Sequence, residues 1–430
     1  MRLRNMIQGW CITNMLGGFS VILLALHTYG NFPYFLFFTE RTSIPPRYFT
    51  YLLVTTSLLF LFLKWRENRK IIIWRPALIW FVSACLLVFV YYFLGKIGYL
   101  YLVDAYATKF LHGLTIMSCV VILLNVGGEP LFSLLCWVIK ILFLLACLTI
   151  IYDYYLPGSF VHVGSKLSNV GRGAGYYINA SNAGTAIICG WIFIILLYKS
   201  NAKYFYTLTT VGIYALLSTL TRSAWLTGFF SLCMALAFSV VKPRLFINVV
   251  ILTMLCVILF KLLFYFTVVH SQTNAGMTSH ITTEKNRQIT TEKNRQIHRI
   301  DFTTKKNILN HSVLKRIETM KAGMEMITRS PIWGNGIGSV QHVLGKSPHN
   351  SFIGLWADFG ILGLLLNLSL LFIIFYRFYR KVENIADFCF FTGCIAFALG
   401  LFADVLISNS PLLLLIAISF SNFSFGFVRR

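Results

Sequence analysis

Charge is what this sequence has least of. Only 12% of its 430 residues are charged and just 14 are acidic, against roughly 25% charged residues in soluble domains. So few carboxylates argue against a carboxylate metal cage. The chain has no Walker A sequence, no H-E-x-x-H, no G-x-S-x-G and no D-x-D pair. Gly334, Gly336 and Gly338 lack the G-x-G-x-x-G spacing, and no strand pattern precedes them, so a dinucleotide turn is excluded. None of the ten cysteines forms C-x-x-C, and all of them, from Cys11 to Cys394, fall inside apolar runs. They read as small packing residues, neither disulfides nor metal ligands. The net charge is +23, but without zinc-finger spacing, an RNP motif or a basic zipper it does not point to nucleic acid.

What the chain has in excess is apolar surface. It is 57% hydrophobic and 16% aromatic, with a mean hydropathy of +0.73. Runs near twenty residues with almost no charge recur throughout, each long enough to cross a hydrocarbon core of ~30 Å. The expected spans are 10–29, 48–64, 76–95, 107–126, 131–154, 182–199, 204–220, 223–241, 245–269, 355–376, 385–407 and 411–428. This is an all-α polytopic membrane protein with about twelve transmembrane helices. The basic start, MRLRNM, resembles a signal-peptide flank, but no small-residue cleavage site follows, so an uncleaved first span fits better. With the N-terminus inside, Lys64-Trp65-Arg66, Arg69-Lys70, Lys199, Lys203, Lys242, Arg244, Arg377, Arg380-Lys381 and Arg429-Arg430 all become cytoplasmic, as the positive-inside rule requires. Both termini are then cytoplasmic, and the same basic residues also suit anionic membrane lipids.

The chain divides into residues 1–269 with nine spans, a large external loop at 270–352, and residues 353–430 with three spans. Two smaller external segments run from Asn31 to Tyr48 and from about Leu156 to Ser181. The large loop carries twelve lysines and arginines against five acidic residues. Loops beyond ~60 residues escape the orientation rule, so this charge is permitted there, and an anionic ligand would explain it. Within the loop, Val313, Ile317, Met320, Met324 and Ile327 recur at spacings of 4, 3, 4 and 3, one apolar face of a helix lying on the membrane or against the bundle.

With metals and standard hydrolase motifs absent, the candidates for chemistry are external arginines and a histidine. Arg222 lies between two spans joined by almost no loop, and an isolated outer arginine works against the orientation rule. Arg316 flanks the apolar stripe of the loop helix. Arg172 sits in Gly171-Arg172-Gly173-Ala174-Gly175, where glycines allow close backbone approach. His349 opens His349-Asn350-Ser351-Phe352 before the tenth span, and an imidazole with pKa near ~6.5 suits general-base work. Asp404 is a rare intramembrane carboxylate, as consistent with a structural ion pair as with function.

The stretch from Lys315 to Gly363 resembles the O-antigen ligase and polymerase superfamily of membrane glycosyltransferases. His349-Asn350, nine residues, Gly360, two residues and Gly363 match the H-[NSQ]-x9-G-x-x-[GTY] signature of the ligases. Arg316 and Ser330-Pro331-Ile332-Trp333-Gly334-Asn335-Gly336-Ile337-Gly338 resemble the family's approach to it. Thr221-Arg222-Ser223 sits where the family has an arginine between two spans, and Arg172, Gly175 and Asn182 resemble its second-loop motif. The resemblance implies a GT-C-like, inverting, metal-independent glycosyltransferase of the bacterial inner membrane with a periplasmic active site and no cofactor. A ligase takes polysaccharide from undecaprenyl diphosphate and passes it to a sugar hydroxyl of lipid A–core. A polymerase passes it to another lipid-linked repeat unit. The shorter second loop, about a third the length of the main one, favours ligase; a lipid-linked glycan transporter is the third reading, though no internal repeat supports it. The resemblance implies catalytic roles for His349, Arg316 and Arg222, and substrate binding by Arg172, Asn350 and Asn182.

The octapeptide Ile281–Gln288 is followed at once by an identical copy, Ile289–Gln296. It reads as replication slippage in a stretch that tolerates insertion. Deletion of residues 289–296 should therefore leave activity and membrane insertion unchanged, checked by complementation of a deletion strain; a dead variant would refute the slippage reading.

Overall fold

The structure, a computed structural model, describes residues 12–67, 75–161, 172–198, 202–237, 243–275, 311–345, 348, 350–381, 391, 393–399 and 410–420. In chain order its helices are α1 (Ile12–Thr28), α2 (Phe32–Phe38), α3 (Pro46–Arg66), α4 (Arg75–Lys96), α5 (Asp104–Tyr155), α6 (Ala180–Tyr198), α7 (Ala202–Thr219), α8 (Arg222–Ala237), α9 (Pro243–Ala275), α10 (His311–Arg329), α11 (Ser339–Leu344), α12 (Ser351–Lys381) and α13 (Ser410–Phe420). Two short strands, β1 (Tyr101–Leu102) and β2 (Gly336–Ile337), pair in parallel with Tyr101 opposite Gly336.

Most helices are apolar on every side, so no polar stripe marks a water-facing surface. Phe89 and Phe229 are each 68% exposed, which suits a chain solvated by hydrocarbon. Among the described residues, four helices are long and apolar enough to cross a membrane, and five when α1 and α2 are taken as one bent span. Helices from Ala180, Ile247 and Pro411 are apolar but shorter. The protein is thus a helical membrane protein. The twelfth-span count and the second copy of the octapeptide involve residues outside the described set.

The described chain forms two compact units. The first takes residues 1–142, 233–240 and 311–430; the second takes 143–232 and 241–310. In the first unit, Thr50 ties α1, α3 and α5 together. Its hydroxyl lies 3.1 Å from His27 Nε2 and 3.5 Å from His112 Nδ1. Tyr34 completes the group, its hydroxyl 3.3 Å from His112 Nε2. Polar side chains act as such glue between apolar helices. The bend of 54° between α1 and α2 falls at Asn31, whose φ is +52°.

Two glycines interrupt helices that the expected spans treated differently. Gly128 (φ +71°, ψ −158°) breaks α5 where a turn between the fourth and fifth spans was expected, and no loop residues are spent there. Gly360 (φ +63°, ψ −152°) breaks α12 inside the expected tenth span, 355–376. Past this break the chain doubles back: Asn367 Nδ2 donates to the Ser351 carbonyl at 3.1 Å, sixteen residues away in sequence. A straight helix would separate them by roughly 24 Å. The tenth span therefore begins after Gly360, and Ser351–Phe359 lies beside its first turns. Hydropathy alone could not separate two apolar helix pieces joined by one glycine.

The loop helix α10 packs on α12 along a line beside its apolar stripe, with Ile327 shared by both. Thr319, Met326 and Ile327 are buried, whereas Ile317 and Met324 are 40% and 49% exposed. Gly323 decides the rotation. A Cβ there would sit 2.5 Å from the Ile353 side chain, so α10 approaches α12 most closely along Thr319–Gly323–Met326. Met326, Ile327, Val340 and Ala357 form the resulting core.

A Cβ at position 360 would lie 2.1 Å from the Ile332 carbonyl oxygen. Gly360→Ala therefore combines positive-φ strain, of about 1–3 kcal/mol, with a backbone collision. Gly345 also has positive φ (+67°) but nothing within 4 Å. Thermal denaturation followed by size-exclusion chromatography should show a larger loss for Gly360→Ala than for Gly345→Ala. Equal losses would mean that the contact with Ile332 is not decisive.

Candidate functional site

In the second unit, the glycine-rich loop is pressed onto the end of α5. One oxygen of Asp153 accepts the amides of Ala174 (2.8 Å) and Gly175 (3.0 Å). A Cβ at Gly173 would lie 2.3 Å from the Ile150 carbonyl oxygen. The close approach that these glycines permit is thus to a helix of the same chain. The Tyr176 and Tyr177 rings meet at a tilt within this loop, centroids 4.7 Å apart, and burial pushes the Tyr176 phenol well above its ordinary pKa.

The same loop reaches the turn before α8. Gly173 N donates to Ser218 O at 2.8 Å, Arg172 Nε to Thr219 O at 3.0 Å, and Arg172 Nη2 to Thr221 Oγ1 at 2.7 Å. Thr221 Oγ1 in turn donates to Ala180 O at 2.9 Å, joining the start of α6. Leu220 adopts φ +48° to make the turn. Arg222 then stands half-buried as the first residue of α8. Arg172, Arg222 and the exposed Asn182 on the first turn of α6 are therefore gathered into one cluster. A guanidinium at a helix N-terminus places a fixed charge and the positive end of the macrodipole together, an arrangement suited to an anion.

In the first unit, Asn350 caps α12. Its Oδ1 accepts the amides of Phe352 (2.9 Å) and Ile353 (3.1 Å). Asn and Ser, two of the three residue types the signature admits here, are strong N-caps. Asp358 is 3% exposed and binds the loop before it: Gly338 N at 2.9 Å, Ser339 N at 2.9 Å and Ser339 Oγ at 2.8 Å. Asn335 adds Nδ2 bonds to the Met326 and Ala357 carbonyls at 2.8 and 3.0 Å. Both signature glycines have steric causes. Gly360 admits Ile332, and Gly363 lies where a Cβ would be 2.1 Å from the Leu355 carbonyl oxygen of the doubled-back segment. His349 and the side chain of Arg316 lie outside the described residues, although α10 includes position 316; Asp404 lies outside them too. No cluster of His, Cys, Asp or Glu among the described residues could hold a metal ion.

The family model described as O-antigen ligase matches residues 205–368. That segment belongs to the O-antigen ligase family. A comparison with curated proteins finds no match.

The O-antigen ligase segment contains Arg222, Arg316, His349, Asn350, Gly360 and Gly363, whereas Arg172 and Asn182 precede it. That likeness, over residues 205–368, is to membrane enzymes of glycosyltransferase type that act on lipid-linked polysaccharide in the ligase or polymerase manner. Sequence reasoning missed Asp153 and Asp358, which position the two loops. The available signal was scarcity: among 14 acidic residues, one placed beside a glycine-rich loop is a candidate to bind its amides.

Asp358→Ala leaves two amides and a hydroxyl without their acceptor, at about 1–3 kcal/mol for each unsatisfied buried group. The variant should show a lower melting temperature and faster proteolysis across residues 336–345. Unchanged values in both measurements would show that the loop does not depend on this carboxylate.

Proposed function

We propose that this protein is an O-antigen ligase. It transfers O-polysaccharide from undecaprenyl diphosphate to a sugar hydroxyl of lipid A–core at the periplasmic face of the inner membrane. The observation that carries this reading is Arg222 at the head of α8 within the O-antigen ligase segment, in a turn that Arg172 clamps from the second loop. A diphosphate leaving group carries several negative charges, and guanidinium forks bind phosphate oxygens bidentately while remaining charged at any working pH. Arg222 and Arg316 hold the departing diphosphate and stabilise the charge that develops on it. Arg172 supports Arg222 through the Thr219–Thr221 turn, and Asn182, on the first turn of α6, binds substrate beside it.

His349 takes the proton from the acceptor hydroxyl as its oxygen attacks the anomeric carbon. One bond forms to the acceptor oxygen, the bond to the diphosphate oxygen breaks, and the leaving group keeps that electron pair. A single displacement of this kind inverts the anomeric centre and needs neither metal nor cofactor. Asn350, whose Oδ1 caps α12, orients the acceptor sugar.

Deletion of the gene should leave bare lipid A–core in the lipopolysaccharide profile, with long polymer retained on undecaprenyl diphosphate. Core capped with one repeat unit would identify a polymerase instead. In the complemented strain, His349→Ala should lower the transfer rate by about 10²–10⁴-fold with the protein still inserted. Arg316→Lys should also fail, because a point charge cannot replace the fork; an active lysine variant would sink the bidentate role.

A further inference from the structure

A groove of about 1010 Å³ runs along the lipid-facing side of the first unit, between α4 and the part of α12 beyond Gly360. Leu86 and Val90 form one wall, and Leu365 and Phe372 the other. All four are 48–63% exposed. The lining contains no charged residue, so its occupant is hydrocarbon. From Ser83 to Leu94 the wall extends roughly 17 Å at 1.5 Å per residue, about half the hydrocarbon thickness of a bilayer.

The groove is held open by hydrogen bonds from two side chains, Trp80 and Tyr91. Trp80 Nε1 donates to the Leu366 carbonyl at 3.0 Å. Tyr91 donates to the Phe359 carbonyl at 3.2 Å and also to that of Trp333. The break at Gly360 frees the Phe359 carbonyl from its helical partner, and Tyr91 takes it up. The walls are therefore pinned at both ends, and the groove is preformed.

Its mouth settles the occupant. Tyr99 and Trp333 lie there, 79% and 72% exposed. Trp333 adjoins Gly334, which packs directly on the backbone of Asp358 and Gly360. A chain seated in the groove therefore presents its head group beside the signature turn. A bulk phospholipid carries two chains and lipid A several, whereas a polyprenyl diphosphate carries one. We propose that this groove seats the polyprenyl chain of the lipid-linked donor and so delivers its diphosphate to the signature turn. The inference rests on the ligase reading and extends it by assigning the surface that selects the donor's tail.

The test uses the full-length protein in nanodiscs. Leu86→Trp and Leu365→Trp fill the groove without touching the proposed catalytic residues. Each should raise KM for an undecaprenyl-linked glycan about tenfold or more, the scale on which apolar pockets discriminate one or two carbons. The same variants should turn over a donor with a one- or two-isoprene chain as the wild type does. Separately, benzoylphenylalanine at position 365 should crosslink undecaprenyl diphosphate in preference to phospholipid, and added unlabelled undecaprenyl diphosphate should compete the adduct away. Unchanged KM values, or phospholipid adducts that no polyprenyl competitor reduces, would overturn the proposal. Wild-type protein that transfers glycan from neither donor would overturn the ligase reading, and the competition experiment alone would then decide the groove.

Discussion

The capture of Gly338 and Ser339 by the Asp358 carboxylate is the contact on which the outer surface of the first unit depends. Three donors converge on one side chain that is buried beside a helix break, where unsatisfied backbone groups would otherwise accumulate. Both of its oxygens are engaged, Oδ2 by Gly338 N and Oδ1 by the two donors of Ser339. This contact decides where the turn Pro331–Gly338 lies, and that turn in turn places β2, α11 and the entrance to the groove. Asp153 solves the same problem in the second unit with the amides of Ala174 and Gly175. A protein with 14 acidic residues has thus placed two of them where a loop meets a helix.

Apolar surroundings make such local accounting strict. Within hydrocarbon a broken helix must find partners for its freed carbonyls inside the protein. At Gly360 the partners come from other elements: Tyr91 takes the Phe359 carbonyl, and Ile361 N donates to Ile332 O at 3.1 Å. Asn367, fully buried, returns an amide hydrogen to Ser351. The segment carrying the signature is therefore fixed from three directions.

Much of this was legible in the sequence, and the losses have physical causes. Apolar runs located the helices because hydrocarbon leaves few alternatives to a helix. The loop carrying Arg172 does meet the turn before Arg222 and the start of α6, since a short turn and a glycine-rich loop leave them little choice. The reversal at Gly360 was not legible, because apolar periodicity is the same on either side of a glycine. The line along which α10 meets α12 is not legible for a related reason: Gly323 contributes nothing to an apolar stripe, yet it governs how closely two helices approach. The capping of α12 by Asn350 Oδ1 is a role that the motif spacing alone does not reveal.

The β1–β2 pairing has a consequence for how the large loop can change length. Its register is set by backbone bonds from Tyr101 N to Asn335 O (2.9 Å) and from Val103 N to Ile337 O (3.0 Å). A Cβ at Gly336 would lie 2.1 Å from the Tyr101 carbonyl oxygen, so a slip by one residue would force a side chain into that space. The junction therefore acts as a mechanical stop. Residues added upstream of α10, such as the repeated octapeptide, leave the ground on which the signature turn is built where it is. Selection can change the length of the sequence there while the register of the turn stays the same.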